Sequence, residues 1–190
     1  MILVVGLGNP GARYESTRHN VGFQVVDRLV SQASAAFRAR FEGQFAQIEI
    51  AGRAVGLLKP ETFMNESGRS VQPAVSFYKV QLADVLVIHD ELDLPLGDVR
   101  LKLGGSDAGH RGIRSVTQLL GSDQYLRLRV GIGRPPPDFR GSVRDFVLQG
   151  ASPTESPELE RALEKAVGAV RLVTTDGLAA AMNQTNQRPR

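Results

Sequence analysis

ILVVGLGNPG, residues 2–11, decides the fold. Its first four residues form an unbroken apolar run that a glycine ends. Such a run fits a strand buried on both faces, as the inner strands of a parallel sheet are. Gly6, Gly8 and Gly11 then give the spacing G-x-G-x-x-G. In a dinucleotide-binding unit that spacing opens a helix whose N-terminus meets the pyrophosphate. The context argues against this use. Helical spacing starts only near Asn20, and the acidic residue about 20 positions on is Asp27, inside that helix. The glycines are instead expected to turn the backbone sharply at the strand's carboxyl end, where α/β proteins place ligands, with Asn9 pointing into the site.

From Asn20 onward Val21, Val25, Leu29 and Ala33 recur at helical spacing. Phe45–Ile50 and Arg53–Leu58 predict a hairpin turning at Ala51-Gly52. Val71, Val75 and Tyr78 predict a second helix, which Pro73 should kink or begin. Val85–Ile88 is a second buried strand. Asp98–Leu103 and Tyr125–Ile132 alternate, with a helix over Gly112–Leu120 between them. Ser152 and Ser156, each before a proline, offer helix starts ahead of the stripe Leu159, Leu163, Val167 and Val170. Residues 183–190 predict a frayed basic tail. The expectation is an α/β fold: one domain over residues 1–190, three layers α/β/α around a mixed, mostly parallel twisted sheet. Loops 103–112 and 133–142, rich in glycine or proline, are candidate gates.

The 190 residues are 42% apolar, enough for a core without staples. There is no cysteine. That excludes disulfides, thiolate metal sites and a thiol nucleophile, and it agrees with a reducing, cytoplasmic setting. The N-terminal apolar run is too short for a signal peptide, and no stretch approaches a membrane span. A net charge of +3 hints at an anionic partner.

Polar residues gather at element ends in three places: Asn9 with Tyr14, His19 and Asn20; Phe63-Met64-Asn65; and His89 through Asp93 after the buried strand. Alternation sends His89 and Asp90 to opposite faces, so only one is expected in the site, and Asp90 is chosen. A histidine beside a carboxylate is the arrangement of a general base with a fixed tautomer. With no activated serine or cysteine, His19 would act on water directly. Asn9 and Asn65 could position substrate or stabilise an oxyanion. On spacing alone, a helix-capping His19 and a structural Asp90 ion pair remain equally open. Metal binding lacks any tight ligand spacing. Arg100 and Lys102 alternate with leucines on one strand, and Arg127 and Arg129 on another. If the strands are neighbours, four cations form a phosphate-binding face; otherwise each is an ordinary solvated strand.

Five stretches together resemble bacterial peptidyl-tRNA hydrolase: VVGLGNPGARYESTRHNVGF, KPETFMNESGRSV, VIHDELDLPLG, LKLGGSDAGHRG and LRLRVGIGRP, in that family's order. The later DGLAAAMN also fits. The resemblance implies hydrolysis of the ester joining a peptide to the 3′ end of tRNA, releasing tRNA for reuse in translation. It implies His19 as the base that activates water, Asp90 as its partner, and Asn9 as the residue sensing a blocked amino end. Asn65 would bind the substrate's end, Tyr14 and Phe63 would contact the tRNA terminus, and Met64 would form cleft wall. His110 would sit in the mobile loop, with Lys102 and Arg129 gripping acceptor-stem phosphates. The resemblance implies no metal and no cofactor, and a monomer. A non-catalytic RNA-binding relative is the alternative, and intact Asn9, His19, Asn65 and Asp90 argue against it. Arg111 departs from the family, which mostly has Asn there. An arginine cannot accept a hydrogen bond, so Arg111 either grips phosphate or points outward.

Overall fold

The computed structural model describes residues 1–187. The chain runs β1 (Ile2–Gly6), α1 (Val21–Gln32), β2 (Arg38–Arg40), β3 (Gly43–Ile50), β4 (Arg53–Pro60), α2 (Gly68–Tyr78), β5 (Val85–Glu91), β6 (Val99–Leu103), α3 (Arg111–Leu120), β7 (Leu126–Gly131), α4 (Val143–Val147) and α5 (Ser156–Thr185). The strands form one mixed sheet of order β2-β3-β4-β1-β5-β7-β6. Its four central strands are parallel, and β3, β2 and β6 pair antiparallel toward the edges. Val4, Leu86, Ile88 and Leu128 face α1 and α5, while Leu3, Val5, Val85 and Val87 face α2 and α3. This is the expected three-layer α/β fold.

From β1 the chain crosses by α1 to reach β4 on one side. It then returns by α2 on the other face to reach β5 on the far side of β1. The crevice at such a reversal, beyond the strands' carboxyl ends, is where open α/β sheets bind ligands. The glycines open it by close approach rather than by turning. A Cβ at Gly6 would lie 2.2 Å from the Gly22 carbonyl oxygen, and one at Gly8 2.7 Å from the Phe23 ring. α1 therefore seats directly on the strand end, and in Gly6-x-Gly8-x-x-Gly11 only Gly11 has a positive φ. The chain makes 3-10 turns over Ala12–Tyr14 and Arg18–Asn20 before α1, so no helix opens at the glycines as a dinucleotide unit would require.

Several local expectations are corrected. Pro73 lies in the interior of α2, not in its first turn. α5 starts at the second Ser-Pro pair; Ser152 opens the preceding turn, its carbonyl accepting from the Ser156 N–H at 2.9 Å. At Gly177 the backbone leaves helical geometry, which separates the Ala-rich end from the main helix. The expected tail is helical to Thr185, and Asn186 is stitched to the edge strand. Its Oδ1 accepts from the Leu101 N–H at 2.8 Å and its Nδ2 donates to the Leu101 carbonyl at 3.0 Å, shielding part of that edge. Residues 188–190 of that tail lie outside the described residues. Among the described residues no helix is long and apolar enough to cross a membrane.

Candidate active site

A cleft of about 590 Å³ opens at the carboxyl ends of the parallel strands. Each strand or its following turn supplies a wall: Asn9 and His19 after β1, Phe63 to Asn65 after β4, His89 and Asp90 at the end of β5, and Arg134 after β7. The loop before α3 and helix α4 close the sides.

Asp90 is the centre. It is 4% exposed, and both its oxygens lie 2.9 Å from His19 Nδ1. His110 Nε2 lies 2.8 Å from Asp90 Oδ1. The other nitrogen of His110, Nδ1, accepts from the Ile113 N–H at 3.3 Å and so caps α3. That fixes His110 as the Nε2–H tautomer, which donates to Asp90. Burial pushes the Asp90 carboxyl up, but the charges and hydrogen bonds of His19 and His110 outweigh it and hold the group well below the usual carboxylate range. An ionised Asp90 requires His19 to donate through Nδ1, which leaves Nε2 as the lone pair. Burial lowers the His19 pKa, the Asp90 carboxylate more than reverses this by charge and hydrogen bond, and the net shift is upward.

His89 corrects the one-face expectation. Its side chain does leave β5 on the side of Val87, opposite to Asp90, yet it still lines the cleft. The loop carrying His110 folds over the strand end from that side, and the two rings lie 4.9 Å apart, edge to face. His89 Nδ1 donates to the Asp90 backbone carbonyl at 2.7 Å, and burial keeps the imidazole neutral.

Asn9 is clamped by Asn20, which accepts from the Asn9 N–H and donates to its carbonyl, both at 2.9 Å. The Asn9 Oδ1 accepts from the Met64 N–H at 2.9 Å. With the oxygen so used, the Nδ2 hydrogens are what Asn9 offers the cleft. Met64 is buried, and Asn65 and Phe63 are exposed at the mouth. Tyr14 is half-buried, with the Arg13 guanidinium 4.6 Å over its ring. Arg111, the first residue of α3, is exposed at the rim.

Two functional supports escaped the sequence. In the sequence Asn20 reads only as a neighbour of His19. Arg18 is 6% exposed; it donates to the carbonyls of Phe146 and Gln149 and to Glu155 at 2.7 Å, tying the His19 turn to α4 and the start of α5. Its only signal was a cation beside the histidine.

β6 and β7 are neighbours, with Arg100 opposite Arg129 and Lys102 opposite Arg127. The face is not four free cations, however. Arg127 is buried and donates to the carbonyls of Gly104 and Ser106. Arg100 is tied to Asp98 and the Asn186 carbonyl. Half-buried Lys102 has no ion pair among the described residues, while half-buried Arg129 stands beside His89 across the strand pair with its Nη1 3.9 Å from the Glu91 carboxylate. Both lie outside the cleft lining, on the α3 face of the sheet.

Ligand-type atoms of His19, Asp90 and His110 lie within 4.8 Å of one another. Both carboxylate oxygens already accept imidazole N–H groups, and His110 Nδ1 caps a helix. A cation would have to displace those protons, so the trio fits a hydrogen-bonded unit better than a ligand set.

A family model described as peptidyl-tRNA hydrolase matches residues 3–190. The chain belongs to the peptidyl-tRNA hydrolase family. A relative named peptidyl-tRNA hydrolase from Sorangium cellulosum (strain So ce56) is 52% identical, covering 100% of this chain and 86% of its own. One from Anaeromyxobacter dehalogenans (strain 2CP-C) is 48% identical, covering 100% and 98%. The crystal structure of peptidyl-tRNA hydrolase from Acinetobacter baumannii superposes with a TM-score of 0.91 at 39% identity, covering 98% of this chain and 94% of that one. The α/β architecture expected from residues 2–11 is thus that of the peptidyl-tRNA hydrolases.

Proposed function

We propose that this cleft hydrolyses the ester between a peptide and the 3′ end of tRNA, with His19 as the base that activates water. Family membership supplies the overall reaction, which releases tRNA and peptide. The observation that carries the assignment of roles is the His19–Asp90–His110 arrangement, which leaves the His19 Nε2 lone pair unused beside the cleft.

Water donates a proton to His19 Nε2 as its oxygen attacks the ester carbonyl. The imidazolium that forms is stabilised by Asp90, which stays ionised. The Nδ2 group of Asn9, and the amide of Asn65 at the mouth, are placed to donate to the carbonyl oxygen as it gains charge. Collapse breaks the ester C–O bond, and His19 returns its proton to the departing ribose oxygen. The reaction needs neither metal nor cofactor.

Asn9 would also meet the blocked amino end. Phe63 and Tyr14 offer ring faces to the terminal bases, Met64 gives an apolar wall, and His110 joins the wall from the loop side. Lys102 and Arg129 would take acceptor-stem phosphates, and Arg111 a phosphate nearer the 3′ end. Loops 103–112 and 133–142 border the cleft as gates. We place the protein in the cytoplasm, acting as a monomeric single domain on its RNA substrate in translation.

Release of an N-acetylated amino acid from its tRNA tests the reading. His19→Ala should lower kcat by about 10²–10⁴-fold, the usual worth of a general base, in a protein that melts like the wild type. Unchanged turnover in that variant would overturn it.

A further inference from the structure

We propose that Arg127 is a positioning residue: a buried cation that straps the loop over residues 104–109 and thereby delivers His110 to Asp90. The inference rests on the role given above to the His19–Asp90–His110 unit.

By its own contacts the loop ties down only its second half: the Ala108 and Gly109 N–H groups donate to Ser106 Oγ and Asp107 Oδ1 and the His110 N–H to the Asp107 carbonyl, while in the first half the Gly105 N–H reaches out to Asp123 Oδ2. Gly104, Gly105 and Gly109 take φ values of 62°, 95° and 84°, and Ala108 takes 48°. Four such residues in a run of six make the loop costly to order, so its first half needs holding from outside. Arg127 is 3% exposed beneath them. Its Nη1 donates to the Ser106 carbonyl at 2.8 Å and its Nη2 to the Gly104 carbonyl. A planar guanidinium can satisfy two divergent carbonyls at once, which an ammonium on a flexible stem cannot do as well. The fit is close, since a Cβ at Gly105 would come within 3.0 Å of Nη2. Among the described residues Arg127 has no carboxylate at ion-pair distance, so the loop carbonyls are its compensation.

The other side of Arg127 is rigid. β7 pairs it with Val87, two residues before His89 on the strand that carries Asp90. At its far end the loop is tied down by Asp107 on Arg114, and His110 follows with its donation to Asp90. The contacts thus form a closed circuit from β5 through Arg127 and the loop back to β5. A phosphate contact would need a reachable guanidinium, and burial denies that to Arg127.

The test compares wild type, Arg127→Met and Arg127→Lys by amide hydrogen exchange on the free protein, and by turnover of N-acetylaminoacyl-tRNA across a range of salt. In Arg127→Met, the N–H groups of Gly105 and His110 should exchange faster while β5 and β7 keep their protection. The kcat should fall by about 10²-fold, the scale of an ångström-size misplacement, with the salt dependence of KM unchanged. Arg127→Lys should recover part of both losses. Unaltered loop exchange with unaltered kcat would overturn the proposal. So would a flattened salt dependence, which would mark a phosphate contact, or exchange rising equally through β5 and β7, which would mark a merely structural residue. The exchange arm needs no substrate, so a wild type without turnover would count against the proposed reaction and leave the strap to be judged separately.

Discussion

Asp90 keeps a full charge in the protein interior because two imidazole N–H groups meet it. Removing either would leave a buried carboxylate under-satisfied, at a cost larger than the net worth of the bond itself. That Asp90 needs a partner was legible in the sequence, since a carboxylate just after a buried apolar run must be paired or used; that the partner is His19 came only with the family resemblance. The depth of each cation was not. Alternation tells which sheet face a residue takes but not whether a loop covers it, and so Arg127 reads the same as Arg129. The difference is measurable. Lys102→Ala or Arg129→Ala should weaken tRNA binding and reduce the slope of log K against log salt by about one per lost phosphate. An unchanged slope in both would return these residues to a solvated strand face.

At the scale of elements, the seat of α1 on the end of β1 brings His19 to Asp90. A Cβ at Gly22 would lie 2.5 Å from both the Ile88 carbonyl oxygen and the Leu7 nitrogen. Both are backbone atoms and cannot rotate away, so Gly22→Ala must push the helix off the sheet. It should cost about 1–3 kcal/mol of stability, the range for overpacking, and lower kcat because the His19 turn moves with the helix. Chemical denaturation alongside turnover checks both, and a variant of wild-type stability and activity would contradict this account of the glycines. The main strands and α1 to α3 were legible because their apolar spacing is long and regular. β2, with three exposed residues, and α4, of five, are too short to carry a period and owe their form to neighbours.

The whole molecule is built on a sheet that gathers the groups proposed for catalysis at the carboxyl ends of its parallel strands, from four different connections. Strand order cannot be read from pattern alone, so the meeting of Asn9, Met64, His19 and Asp90 was visible in sequence only through the family resemblance. What the assembled fold adds is the electrostatic sign. His19 must be neutral to accept a proton, and Asp90 raises its pKa, so the acid limb of the wild-type kcat/KM profile should lie above the ordinary imidazole value of 6.5. Without the carboxylate, burial alone acts on His19, and burial lowers it. The decisive measurement is therefore the pH profile of kcat/KM for wild type and Asp90→Ala on an N-blocked aminoacyl-tRNA. The account predicts a slower variant whose acid limb has moved to lower pH. An acid limb that stays where the wild type has it would show that Asp90 is not the partner of the base, and would contradict the account.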